Sequence, residues 1–311
     1  MYFPFLRARQ FELIALRELS IEGTIQGVIT PILEPVKEIH NNLDLAYSIF
    51  RDRGQFAYLI MNPLDGKKSG DGTHYLDYIS SLDGNTYRPA FHYRANGAYI
   101  KDCIQQHNLT GCMLVCQNNI DVSNVDFTEL AESTAVTSFN VEDPGRNRSL
   151  SRYLKGLGKS FVRLDSPFQR QLKNSDYLVI SEHQFSEEHL YFEEDGFFGF
   201  SDYTVLPSEY IEGGSTPRAV VIHLTYLNEQ NQIWIRHFTS NTNDSIANVQ
   251  GKFEEAAAKA VAFCRDNNLT NSAIEELIDH YDNQHYPGLG TIKKISIKNH
   301  IIIVADYLRN R

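Results

Sequence analysis

Cysteine, basic charge and long apolar runs are all in short supply in this chain of 311 residues. The four cysteines, Cys103, Cys112, Cys116 and Cys264, are too few and too irregularly placed for a disulfide framework or an all-cysteine zinc site. No stretch reaches the roughly 18 apolar residues that a membrane span requires. Near the N-terminus, Arg7, Arg9, Glu12, Arg17 and Glu18 interrupt what would have to be the unbroken apolar core of a signal peptide. These absences predict a cytoplasmic protein with reduced thiols and no membrane partner. The glycosylation-like triplet Asn108-Leu109-Thr110 then carries no weight. With 29 Lys and Arg against 39 Asp and Glu, the net charge is −10, so the field of the whole chain opposes a non-specific grip on a polyanion. A local basic groove stays compatible with that balance.

The familiar catalytic signatures are missing too. Gly158-Lys159-Ser160 looks like the end of a phosphate-binding loop, but Tyr153 stands where the first glycine belongs, and the triplet precedes a predicted strand instead of following one. Gly288-Leu289-Gly290 fails as a dinucleotide loop because Lys293 occupies the third glycine position. There is no HExxH and no GxSxG, and no histidine pair has metal-ligand spacing.

What is present is an ordinary globular composition, 42% hydrophobic and 22% charged, sufficient to bury a large core. Short runs rich in β-branched and aromatic residues recur at 2–7, 26–34, 55–62, 88–94, 111–118, 135–142, 160–166 and 197–203. Between them apolar residues fall at helical spacing, as in Leu43, Ala46, Tyr47 and Phe50 after the Asn41-Asn42 start signal. Eight alternating strand and helix units predict a (β/α)8 TIM-barrel-like α/β fold. An open doubly wound sheet uses the same alternation but normally opens with a glycine-rich turn when it binds a dinucleotide, and none is found.

Two segments stand outside the barrel pattern. Residues 204–245 contain two strand-like runs joined by the polar turn Asn228-Glu229-Gln230-Asn231-Gln232, which predicts an inserted β-hairpin. Residues 286–311 alternate apolar and polar side chains from Thr291 to Lys298, which predicts a small C-terminal β extension. No Pro/Gly/Ser-rich linker separates these parts, so residues 1–311 read as one barrel-like domain.

Strand alternation places candidate site residues. One parity is mainly apolar and suits the layer beneath the helices: Leu33 in the second strand, Leu59 and Met61 in the third, Phe139 and Val141 in the sixth, Val162 and Leu164 in the seventh. The other parity gathers polar groups at the C-terminal strand ends. Glu34, Asn62, His92, Arg94, Asn118, Glu142, Arg163, Asp165 and Asp202 are therefore expected near the barrel mouth, where active sites of this fold are built. Carboxylates brought together need a cation, a basic partner or a shared proton. Mg2+ or Mn2+ suits such oxygen ligands, and Arg7, Arg94 and Arg163 are the alternative counter-charges. The plain alternative is that strand ends run into polar loops, with Glu34-Pro35 and Asn62-Pro63 as turn starters. In the hairpin, His223 and Arg236 beside His237 and Trp234 form a second candidate, for a nucleotide base and phosphate; cross-strand packing is its plain alternative.

The runs Tyr2-Phe3-Pro4-Phe5-Leu6-Arg7, Pro31-Ile32-Leu33-Glu34-Pro35 and Gly199-Phe200-Ser201-Asp202-Tyr203 resemble, in order along nearly the whole chain, the "beta protein" family of phages and bacteria. The resemblance implies a barrel-like fold and a bacterial anti-phage defence setting, with a partner protein encoded by a neighbouring gene. Residue placement adds the chemistry: a divalent-metal-dependent phosphoester hydrolase acting on a nucleotide or nucleic-acid end. In that reading Glu34 and Asp202 are metal ligands, Glu142 and Asp165 bases or further ligands, and Arg94 and Arg163 phosphate clamps, with Asn62, Asn118, His92, His223 and Arg236 as binding groups. The rival expectation is a non-catalytic partner- or ligand-binding component of a defence complex. A third is a purely structural ion network.

Overall fold

A computed structural model describes residues 1–213 and 216–311. All eight expected barrel strands form. They are β1 (Phe5–Leu6), β2 (Ile32–Leu33), β3 (Ala57–Ile60), β4 (Tyr87–Tyr93), β5 (Cys112–Cys116), β6 (Val136–Glu142) and β7 (Ser160–Leu164), then, after β8 (Glu182–Ser186) in another sheet, β9 (Gly199–Ser201). The order β1-β2-β3-β4-β5-β6-β7-β9 is parallel throughout. The two ends meet: Tyr2 bridges Phe200 in parallel, and Phe3 N–H and Phe5 N–H donate to Phe200 O and Asp202 O, each at 2.8 Å. This closure decides for a (β/α)8 barrel over an open sheet. Gly199 sits at the seam, where a Cβ would lie 2.5 Å from Met1 O and 2.7 Å from Phe3 Cε2, so the backbones approach this closely only because it has no side chain.

The chain divides into two compact units. The barrel unit comprises Met1–Arg9, Gln26–Ser166 and Tyr191–Tyr203; the second comprises Gln10–Ile25, Pro167–Leu190 and Thr204–Arg311. The first helix, α1 (Gln10–Ile21), is counted in the second unit, and the barrel unit carries α2 (Asn41–Asp52), α3 (His74–Ser80), α4 (Gly97–Gln106), α5 (Val125–Glu132) and α6 (Arg148–Gly156). Local signals set their limits: α2 buries Leu43, Ala46, Tyr47 and Phe50, the expected stripe. Asn124 and Asn147 cap α5 and α6 by accepting from Phe127 N and Leu150 N.

The barrel interior takes one residue parity from each strand. Phe3, Phe5, Ile32, Tyr58, Ile60, Ala90, Met113, Val115, Val162 and Leu164 form its apolar filling, and the Tyr58 hydroxyl lies 2.9 Å from Ser138 Oγ. Inward and outward sets follow the sequence expectation in β2, β3, β4 and β6. In β7 they are exchanged: Val162 and Leu164 point in, and Arg163 and Asp165 point out. Hydropathy misleads here because a filled barrel is apolar on both faces at mid-strand.

In the second unit the expected hairpin is β10 (Val221–Leu227) antiparallel to β11 (Ile233–Thr239), and β8 adds a third strand on the far side of β11. A four-residue helix α7 (Glu188–Tyr191) follows β8; α8 (Val249–Asp266), α9 (Ser272–Asp282) and α10 (Leu289–Asn310) complete the chain. The C-terminal β extension expected at 286–311 is instead the 22-residue α10. Its helical period is hidden because lysines occupy buried positions: Lys294 pairs with Glu18 and Glu276, both at 2.8 Å, and Lys298 with Glu18 at 3.1 Å and Glu22 at 2.6 Å. Packing on α1 and β10 thus overrides the strand preference of its isoleucines.

Candidate active site at the barrel mouth

The barrel's inward parity ends, at its C-terminal face, in Arg7, Glu34, Asn62, His92, Glu142 and Tyr203. Glu34 is 1% exposed and its carboxylate is fully engaged. Oε1 accepts from Leu64 N–H at 2.9 Å and lies 3.0 Å from His92 Nε2, while Oε2 accepts from the Arg7 guanidinium. Burial pulls its pKa upward, but the hydrogen bond from His92, the charge of Arg7 and the Leu64 amide outweigh it and hold the carboxyl below the usual range. Arg7 is in turn fixed between the Phe5 and Tyr203 rings, 5.3 and 5.4 Å from their centroids, with Asp65 3.7 Å away.

His92 is held from both sides. Asn62 pairs with its backbone, donating to His92 O at 2.9 Å and accepting from His92 N–H at 2.8 Å, so Asn62 positions the strand rather than facing a ligand. With Nε2 against Glu34, the other ring nitrogen, Nδ1, is buried and has no hydrogen-bond partner among the described residues. Around this dyad stand Arg94, exposed, and Glu142, half-buried, neither with an ion-pair partner among the described residues. Both act electrostatically on Tyr203, whose phenol burial lifts above its ordinary range, with Arg7 and Arg94 opposing and Glu142 and Glu34 adding to the rise.

Other expected site residues go elsewhere. Asp202, although 3% exposed, is on the outward parity of β9 and accepts from the Tyr2 hydroxyl at 2.6 Å. Arg163 and Asp165 pair with each other on the outward side of β7, Nε to Oδ2 at 2.6 Å. Burial raises the Asp165 carboxyl, Arg163 opposes it, and Asp143 and Asp202 add to it. Asn118 ties two loops together, donating to Asp143 O at 3.2 Å while its carbonyl accepts from Asn147 at 2.8 Å. Glu34 and Asp202 therefore cannot share an ion across the sheet, and the described residues contain no group of three or more His, Cys, Asp and Glu that could hold one. In the second unit His223 pairs with His237, whereas Arg236, one residue along β11, projects from the opposite face and stacks over Phe263 at 4.6 Å. These two do not form one site.

Two participants escaped the sequence reading. Tyr203 follows from the parity of Gly199 and Ser201, and that signal was available. Leu64 contributes only its amide, which no side-chain pattern reports. The buried thiols play no part, since burial pushes Cys112 and Cys116 up to about 12. Compared with known protein families, curated proteins and solved structures, the chain shows no match. Among the described residues no helix is long and apolar enough to cross a membrane.

Proposed function

We propose that the barrel mouth is the active site of a hydrolase for a small phosphoester, with His92 as general base and acid. The observation that carries this reading is the buried Nδ1, without a partner among the described residues, of an imidazole whose Nε2 is held by an anionic carboxylate. That arrangement orients the ring and stabilises the imidazolium formed when Nδ1 takes a proton. Water attacks phosphorus as His92 removes its proton; the phosphorus–oxygen bond to the leaving group breaks, and the imidazolium returns that proton to the departing oxygen. Arg94, exposed and without an ion-pair partner among the described residues, supplies the anchor for the phosphoryl oxygens. Were Mg2+ or Mn2+ to arrive with the substrate, Glu142 is the residue that would hold it from the protein side, because the oxygens of Glu34 are already taken, and it would supply charge neutralisation at the phosphoryl oxygens.

The test is hydrolysis of a panel of nucleotides, 5′- and 3′-phosphorylated oligonucleotides and p-nitrophenyl phosphates, with and without Mn2+. His92→Gln is expected to lower turnover by at least about 100-fold without moving the thermal transition, and Arg94→Ala to raise KM. Asp202→Asn, on the outer face, should leave the rate per folded molecule unchanged. Absence of turnover on every substrate, or turnover indifferent to His92→Gln, overturns the reading. The defence setting implied by the resemblance belongs to the same proposal, and its test is co-purification with the product of a neighbouring gene.

A further inference from the structure

We propose that the second unit carries a separate binding site for an organic anion, a phosphate or carboxylate head on an apolar body. The site is a cavity of about 1090 Å3 walled in part by Phe168, Val205, Leu206, Ile246 and Ile292, at the upper end of the size range of small-molecule sites. Its charged lining is Lys173, Arg218 and Lys293, with no Asp or Glu. In a chain of net charge −10 an acid-free cationic wall runs against the composition. Lys293 is matched by Glu12 at 2.8 Å, but Lys173 and Arg218 have no ion-pair partner among the described residues. Leu289, Ile292, Lys293 and Ser296 bring the first two turns of α10 to the same wall, adding the positive end of a long helix dipole.

Asn174, Ser175, Thr216, Asn243 and Ser296 add uncharged polar groups to the wall, and the buried histidines settle what His223 offers. His223 lines the cavity, and its Nδ1 lies 2.6 Å from His237 Nδ1, so one of the two nitrogens carries the shared proton. No carboxylate reaches the pair; burial pushes His223 down to about 3, and burial together with the neighbouring His223 and His183 pushes His237 down to about 2, leaving both rings neutral. His237 Nε2 is buried without a partner among the described residues. An unpaired buried N–H is the rarer and costlier orphan than an unpaired lone pair. The proton of His237 therefore sits on Nδ1 and is donated to His223, and His223, whose Nδ1 is taken as acceptor, carries its own proton on Nε2. Arg218, Lys173 and the His223 N–H then all present donors to the cavity, and an acceptor-rich anion is the ligand that satisfies them.

The experiment titrates 8-anilinonaphthalene-1-sulfonate, an anionic aromatic fluorophore, into the full chain at neutral pH, with AMP, dodecanoate and inorganic phosphate as competitors. One saturable site is expected, weakened at least tenfold by Arg218→Ala and by Lys173→Ala, each checked for an unchanged far-ultraviolet dichroism spectrum. Arg236→Ala, on the other face of the hairpin, should not change it. Displacement by AMP identifies a nucleotide-like phosphate, and displacement by dodecanoate a fatty carboxylate. Non-saturable binding, binding indifferent to both cation substitutions, or failure of all three competitors to displace the probe overturns the proposal.

Discussion

Glu34 shows how much of the site rests on one side chain. Replacing it by glutamine leaves the Arg7 charge without its buried partner and is expected to destabilise the fold by about 3 kcal/mol, measured by urea unfolding at pH 7. Because this carboxyl is held below its ordinary range, its contribution is present above the unfolded pKa and fades as pH falls through the folded one. The wild-type advantage over Glu34→Gln should therefore shrink in acid. The His223 and His237 pair also loses stability toward acid, over a different window. Both are held well below 6.5, so the unfolded chain takes up protons first as pH drops from about 6.5. Stability should then decline by up to about 1.4 kcal/mol per pH unit for each ring, and His237→Phe should flatten that slope in urea melts at pH 7, 6 and 5. The sequence made Glu34, His92, Arg94 and Glu142 legible because parity alone puts them at strand ends facing inward. It could not reveal that Glu34 pairs with His92 across two strands, since that depends on register. Asp202 and Asp165 misled for the opposite reason: outward residues at a strand end are as polar as inward ones.

Whole elements differ in how plainly the sequence shows them. Barrel strands and the amphipathic α2 were plain because their burial is one-sided or complete. The last helix was not, since paired lysines in its packed faces imitate an alternating strand. One residue fixes how closely that helix approaches α1: a Cβ on Gly290 would lie 2.0 Å from Phe11 Cε2. Gly290→Ala is thus expected to displace the Phe11 ring and lower stability by about 1–3 kcal/mol, the usual range for overpacking, despite alanine's better helix propensity. A melting temperature equal to or above wild type would refute this. Strand β8 has no sequence signal of its own: Glu182, His183 and Gln184 are polar on both faces, and pairing with β11 is what makes them a strand.

Across the whole molecule, the order of the chain and the grouping of its parts disagree. The helix between β1 and β2 is built into the second unit, where Leu13, Leu16 and Leu19 are buried and α1 packs on α10. A fragment ending at residue 203 keeps every barrel strand yet strands that apolar face. It is expected to lack the sharp near-ultraviolet dichroism and cooperative melting of the full chain, and a soluble, cooperatively folded fragment would contradict the division. The barrel seam carries a further consequence, for synthesis. Tyr2 bonds to Asp202, 200 residues later, and at about 5–20 residues per second the ribosome takes roughly 10–40 s to deliver that partner. Until then the leading strand is a bare edge, free to template a wrong neighbour, so slower translation should lengthen the exposure of newly made chains to chaperones and aggregation.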